Sequence, residues 1–141
     1  MAQIDQFLKL MVSQKGSDLH ITVGSPPIYR HHGHLERVKF RELTQADVQA
    51  LLFEITTPAQ KATFEETNDV DFAYEIPDVA RFRVNMFRQR KGYGAVLRTI
   101  PSKVLSADDL GLPEGIRRFC QLNKGLVLVT GPTGSGKSTT L

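Results

Sequence analysis

The run Gly131-Pro132-Thr133-Gly134-Ser135-Gly136-Lys137-Ser138-Thr139-Thr140 is the stretch of this sequence best suited to chemistry. Its spacing is G-x-x-x-x-G-K-[ST], the pattern of a phosphate-binding loop. Polyphosphate must come close to bare backbone, and glycine relieves both the steric and the φ limits on that approach. The amides of Gly131, Thr133, Gly134, Ser135 and Gly136, with the start of a following helix, would aim donors at the β-phosphate. Lys137 would reach the β- and γ-oxygens. The Ser138 hydroxyl would complete a Mg2+ shell, and Thr139 is placed to bond an α-phosphate oxygen. The expected cofactors are therefore ATP and Mg2+. The bland alternative is a glycine-rich turn with an incidental lysine.

A second constellation is electrostatic. Residues 81–98 hold Arg81, Arg83, Arg88, Arg90, Lys91 and Arg98 and no acidic residue, while the other residues carry 12 basic against 15 acidic side chains. One basic segment on an acidic body predicts a localised anion site rather than a surface that coats nucleic acid. Arg81 and Arg83 alternate with Phe82 and Val84, so they share the polar face of a strand, either as anion ligands or as solvated arginines. Arg88, Arg90 and Lys91 lie near a turn and read as solvated. Asp69, Asp71 and Glu75 alternate on a wet strand face, as solvated groups or as ion-pair partners of the arginine strand. His20 is expected to make a structural hydrogen bond. His31, His32 and His34 flank Gly33 with no carboxylate or cysteine at ligand spacing, and read as an exposed hairpin tip. The lone Cys120 can form no internal disulfide, and no Cys/His spacing suggests zinc.

These groups need elements to hold them. Ile4, Phe7, Leu8, Met11 and Val12 predict an amphipathic helix, stopped near Gly16 as its C′ residue. Ser17 to Val23 alternates as a short strand. Ile28 to Val38 reads as two strands turning at Gly33. Thr44 and Asp47 form a capping-box pattern before the stripe Val48, Leu51, Leu52 and Ile55. Thr57-Pro58 opens a second helix that carries Phe64 and ends near Asn68. Val70, Phe72, Tyr74 and Ile76 mark a half-buried strand. The strand of Phe82, Val84 and Met86 follows, and then a third strand from Tyr93 to Ile100 that Pro101 ends. This meander is antiparallel, so one face can be wet. A short capped turn at Ser106 and a helix around Pro113 to Leu122 precede Gly125 to Thr130, a continuous apolar run of the kind buried in parallel sheets.

Hydrophobic residues make up 40% and charged residues 23%, which argues against global disorder. The longest apolar run is far short of the roughly 20 residues that span a bilayer. Met1 to Asp5 offers neither a basic nor an apolar leader region, so a reducing, cytosolic setting is expected. The domain plan expected is 1–101, a linker at 102–115, and 116–141 as the start of a nucleotide-binding core. Hydrolysis requires a further acid for Mg2+ and a group that orients water, and neither is found in these residues. The sequence is therefore expected to be a fragment of a longer ATPase, cut short after the loop, and not to turn over ATP alone.

Gly16-Ser17-Asp18-Leu19-His20, the arginine-rich strand Ala80 to Arg90, Arg98-Thr99-Ile100-Pro101, Leu110-Gly111-Leu112-Pro113 and Gly125 to Thr140 together resemble the PilT family, the type IV pilus retraction ATPases of the secretion-ATPase superfamily. The resemblance spans essentially the whole chain. It implies an α/β fold class: an α+β, PAS-like N-terminal domain followed by the truncated start of a RecA-like P-loop domain. It implies a cytoplasmic homohexamer, peripheral at the inner membrane, that couples ATP hydrolysis to pilus disassembly and twitching motility through an inner-membrane platform protein and the pilus machinery. It also implies that Arg81, Arg83 and Arg98 contact ATP phosphates, within the chain or across subunits. The open alternatives are a PilU-like accessory retraction ATPase, a nucleic-acid-binding module that stacks bases on Phe82, Phe87 or Tyr93, and an interaction domain with an inert loop.

Overall fold

The computed structural model describes residues 2–100, 106–131 and 135–141, the side chain of Ser138 excepted. The chain divides into two units, residues 1–102 and 103–141.

In the first unit, helix α1 (Ile4–Ser13) buries Ile4, Leu8 and Met11. Its end departs from the expected one. Lys15, not Gly16, takes the left-handed conformation, with φ 54°. The Lys15 amide donates to the Val12 carbonyl at 2.9 Å and the Gly16 amide to the Met11 carbonyl at 2.8 Å. That is a Schellman closure with Gly16 one position beyond C′. Glycine is needed there for space instead. A Cβ would lie 2.6 Å from Met11 Cγ and 3.1 Å from the Arg30 carbonyl oxygen. Gly16→Ala is accordingly expected to destabilise the unit by about 1–3 kcal/mol through overpacking. Urea unfolding with the slope unchanged would measure this, and a loss below about 0.5 kcal/mol would mean the neighbours yield freely.

Strands β1 (Asp18–Thr22), β2 (Ile28–His31) and β3 (His34–Arg37) form a meander. The β2–β3 turn holds His32 at φ 46° and Gly33 at φ 84°, both positive as a two-residue type I′ hairpin requires. Helix α2 (Gln45–Phe53) opens with the expected capping box, in which the Thr44 side chain and backbone both bond to Asp47. Helix α3 (Pro58–Thr67) repeats the device with Thr57 and Gln60 and ends on Asn68 in the left-handed region. Strands β4 (Asp69–Ile76), β5 (Ala80–Gln89) and β6 (Gly92–Ile100) complete one antiparallel sheet in the order β3-β2-β1-β6-β5-β4.

The sheet has one dry face. Leu19, Ile21, Phe82, Val84, Met86, Ala95 and Leu97 pack with Leu8, Leu52 and Phe64 of the helices in a single core. Asp5 is buried among them at 4% exposure. It accepts from Tyr74 Oη at 2.8 Å. Burial and that bond push the phenol up to about 12. The other face carries the polar residues of the same strands, because successive side chains alternate.

The second unit is less regular. Ser106 and Asp109 close the capped turn, with the Asp109 amide donating to Ser106 Oγ at 3.1 Å. The helix expected from Pro113 to Leu122 is split into α4 (Glu114–Arg117) and a 3-10 turn, Arg118–Gln121. Gly125 to Thr130 forms no strand, contrary to expectation. Leu126 is 83% exposed and Leu128 75% exposed. A parallel strand exists only through a neighbour's ladder, and no strand lies among the described residues of this unit. Helix α5 (Lys137–Thr140) follows. The expected strand end at Pro101 and the start of the linker lie outside the described residues.

Candidate phosphate-binding loop and arginine face

In the loop, Gly131 has φ 150° and Gly136 φ 88°, conformations that L side chains rarely adopt. A Cβ on Gly131 would stand 2.7 Å from Ser135 Oγ. That contact is with a side chain that can turn away, so it is the positive φ that calls for glycine here, the backbone freedom that a phosphate cradle uses. Gly136 precedes α5 and accepts from the Thr139 and Thr140 amides at 3.1 and 2.9 Å. Lys137 is the first residue of that turn and half-buried, while Ser135 and Thr139 are exposed. Thr133, Gly134 and the Ser138 hydroxyl lie outside the described residues. The donor set that remains, glycine backbone with an adjacent lysine, fits a polyphosphate.

The arginine face is built by register. Arg83 stands directly opposite Arg98 on β6. Arg98 in turn faces Asp18 on β1, and Asp18 faces Arg30 on β2. One row across four strands thus reads Arg83, Arg98, Asp18, Arg30. Arg98 Nε donates to Asp18 Oδ1 at 2.7 Å. Arg30 Nε lies 3.4 Å from Asp18 Oδ2, and Ser17 Oγ donates to the same oxygen at 2.7 Å. Arg83 Nε lies 3.4 Å from Asp71 Oδ1. The Arg83 and Arg98 side chains are each 69% exposed, whereas that of Asp18 is 6% exposed. Burial opposes the charge on Asp18. The hydrogen bonds from Arg98 and Ser17, with the nearby positive charge, outweigh it and hold the carboxyl below its ordinary value. Asp71, Arg83, Asn85, Val96 and Arg98 line a shallow cavity of about 270 Å³. Arg81 is exposed one step along the strand, opposite Glu75 and Ile100.

Other expectations resolve differently. His20 makes no structural hydrogen bond at Nε2, which is buried without a partner. It faces Val96 and Ile28 across the sheet, neither of which carries a side-chain acceptor. Burial pushes the imidazole pKa down, Asp18 opposes this, and Arg30 and Arg98 add to it. Asp71 pairs with Arg83, and Asp69 accepts from Asn85 Nδ2 at 3.3 Å. Arg88 bonds Asn68 and lies over the Tyr93 ring. His31 and Tyr29 both bond Glu36, which holds the hairpin. The three aromatics proposed for base stacking are committed elsewhere. Phe82 is fully buried, Phe87 covers Gly94, and Tyr93 packs edge-on against Phe64 at 5.0 Å. A stacking platform for single strands needs open ring faces, and Phe82 offers none. Asp18 and Arg30 were not singled out from the sequence as site residues. The signals at Asp18 are its alternation with Leu19 and its place in the Gly16-Ser17-Asp18-Leu19-His20 segment.

Among the described residues, no helix is long and apolar enough to cross a membrane. The profile of the Type II/IV secretion system protein family matches residues 1–141. The type IV pilus retractation ATPase PilT of Pseudomonas aeruginosa is 49% identical over 138 residues, 98% of this chain and 40% of that protein. The type IV pilus ATPase PilU of the same organism is 34% identical over 99% of this chain and 36% of its own length. The crystal structure of the pilus retraction motor PilT with bound ADP superposes with a TM-score of 0.82 at 38% identity, covering 99% of this chain and 41% of that one. The chain thus spans about two fifths of the length of the relatives it matches. With its mixed α/β fold, its six-stranded antiparallel sheet and its glycine loop, this chain belongs to the Type II/IV secretion system protein family.

Proposed function

We propose that the chain works within an ATP-driven motor that disassembles type IV pili, contributing a nucleotide loop and an arginine-bearing sheet. The observation that carries this reading is the 49% identity to a retraction ATPase over 138 residues, a span too long to omit either feature. The lower identity to PilU, 34% over a similar span, favours the retraction motor over the accessory type. In this reading residues 116–141 begin a RecA-like core, and the first unit is its PAS-like companion. The motor is a homohexamer at the cytoplasmic face of the inner membrane. It acts on the pilus through a membrane platform protein.

The backbone of Gly131, Thr133, Gly134, Ser135 and Gly136 holds the phosphates, Lys137 neutralises the β- and γ-oxygens, and Thr139 bonds the α-phosphate. Ser138 supplies a ligand to Mg2+. Magnesium ATP, when bound, supplies the cleavable phosphoryl bond. Arg81, Arg83 and Arg98 donate to its phosphates from their own or a neighbouring subunit, and so stabilise charge that develops on transfer.

The test uses the full-length protein. It should release phosphate from ATP and restore twitching to cells that lack their retraction motor. Cells that regain no retraction, although the protein is expressed and hydrolyses ATP, would assign it to another branch of the family.

A further inference from the structure

Arg83 and Arg98 face each other across β5 and β6. Like charges directly opposite repel, and two long exposed side chains would ordinarily splay into water to avoid each other. Arg98 is not free to do so. Its Nε is bonded at 2.7 Å to a carboxylate that is itself 94% buried by side-chain exposure of 6%. Arg83 Nε makes a longer contact, 3.4 Å, with the exposed Asp71, so its side chain is held more loosely. Among the described residues, the Nη nitrogens of both arginines make no hydrogen bond. Arg98 is thus anchored along one edge, Arg83 turns the same edge toward Asp71, and both keep their terminal forks for a ligand. A fork of this shape matches phosphate oxygens.

Asp18 is the one buried member of the row. It takes Arg98 on one oxygen and Arg30 with Ser17 on the other, so it joins β6, β1 and β2 at one point. A buried carboxylate must be paired, which makes its geometry rigid and, through it, that of Arg98. We propose that Asp18 is a positioning residue for polyphosphate binding on this face: by gripping Arg98 through Nε it presents the Nη fork of Arg98 beside that of Arg83. This rests on the phosphate reading of the arginines given above.

The sign of one substitution separates positioning from simple charge. Asp18→Asn removes a negative charge a few ångströms from the arginines. If only the field mattered, an anion would bind more tightly. If positioning matters, it binds more weakly. The experiment is a titration of the 141-residue chain with inorganic tripolyphosphate, following the arginine Nε–Hε signals by NMR. In the unsubstituted chain the Arg98 Hε signal should sit downfield, as expected for a carboxylate-bonded proton. Tripolyphosphate should shift the Arg83 and Arg98 signals while that downfield position persists. Asp18→Asn should weaken binding about five- to tenfold and return Arg98 Hε to the position of a solvated arginine. Equal or tighter binding to Asp18→Asn would overturn the positioning role and leave the phosphate reading intact. No response of Arg83 or Arg98 in the unsubstituted chain would overturn the phosphate reading itself. Should Asp18→Asn fail to fold, the unsubstituted chain still decides. Loss of the downfield Arg98 Hε signal at saturating tripolyphosphate would mean that the ligand pulls Arg98 away from Asp18, and would refute the proposal.

Discussion

Full-length Arg83→Ala and full-length Lys137→Ala, each inactive by itself, are expected to regain ATPase activity when mixed and reassembled. Arg83 is exposed on the wet sheet face, and its only ion pair among the described residues is a 3.4 Å contact with an exposed aspartate. Such pairs contribute little to stability, so Arg83→Ala should change folding by less than about 0.5 kcal/mol. Loss of a donor aimed at transferring phosphate can cost on the order of 10³ in rate. Loss of Lys137 removes the loop's charge against the β- and γ-phosphates and should be at least as severe. If the arginine of one subunit serves the nucleotide of the next, random mixing gives about one interface in four with both residues intact, as the closed symmetry of a ring implies. Partial activity then returns, and phosphate release against mixing ratio measures it. Absence of rescue with co-assembly demonstrated would place Arg83 in service of its own chain. An Arg83→Ala protein that melts many degrees lower would make the residue structural instead.

Phe82→Ala is expected to do the opposite: little to the chemistry of a folded molecule, and heavy damage to folding. Phe82 is one residue from Arg81 and one from Arg83, yet fully buried. Its neighbours on either side in the sheet are Tyr74 and Thr99. Truncating a buried phenylalanine removes its transfer free energy and leaves a cavity, together about 3–5 kcal/mol. Domains of this size hold only about 5–15 kcal/mol in all. The variant should therefore be partly unfolded at physiological temperature. Urea unfolding of the 141-residue chain, followed by far-ultraviolet circular dichroism, would report the loss as a lowered midpoint. A loss under about 1 kcal/mol would mean that the core between sheet and helices collapses around the gap, and that its packing is looser than the burial of Phe82 indicates.

The contrast between two adjacent residues rests on alternation, and alternation was legible. A strand places successive side chains on opposite faces whatever its partners, so Phe82, Val84 and Met86 could be separated from Arg81, Arg83 and Asn85 by counting. The helix starts were legible for a similar reason. A capping box involves residues three apart, and the pairs Thr44 with Asp47 and Thr57 with Gln60 carry their geometry with them. The glycine spacing of the loop is likewise a local property of its backbone.

What sequence by itself determined, then, is everything that acts over a few residues: where helices begin, which side of a strand is dry, and that residues 131–138 carry the spacing of a phosphate loop. Register was left to the tertiary structure. Asp18 and Arg98 are 80 positions apart, and nothing within either segment says that they meet. Their meeting depends on β6 entering the sheet between β1 and β5, and a slip of one residue would send each to the other face. The same holds for Gly16: it closes the helix as its sequence position suggests, but the close approach of Met11 and of the Arg30 carbonyl, which also demands a glycine there, is visible only in the fold. It holds too for Gly125 to Thr130. Its composition is that of a buried strand, but a strand is a relation between two chain segments. Local hydrophobicity states a need for a partner, and only the assembled fold can supply one.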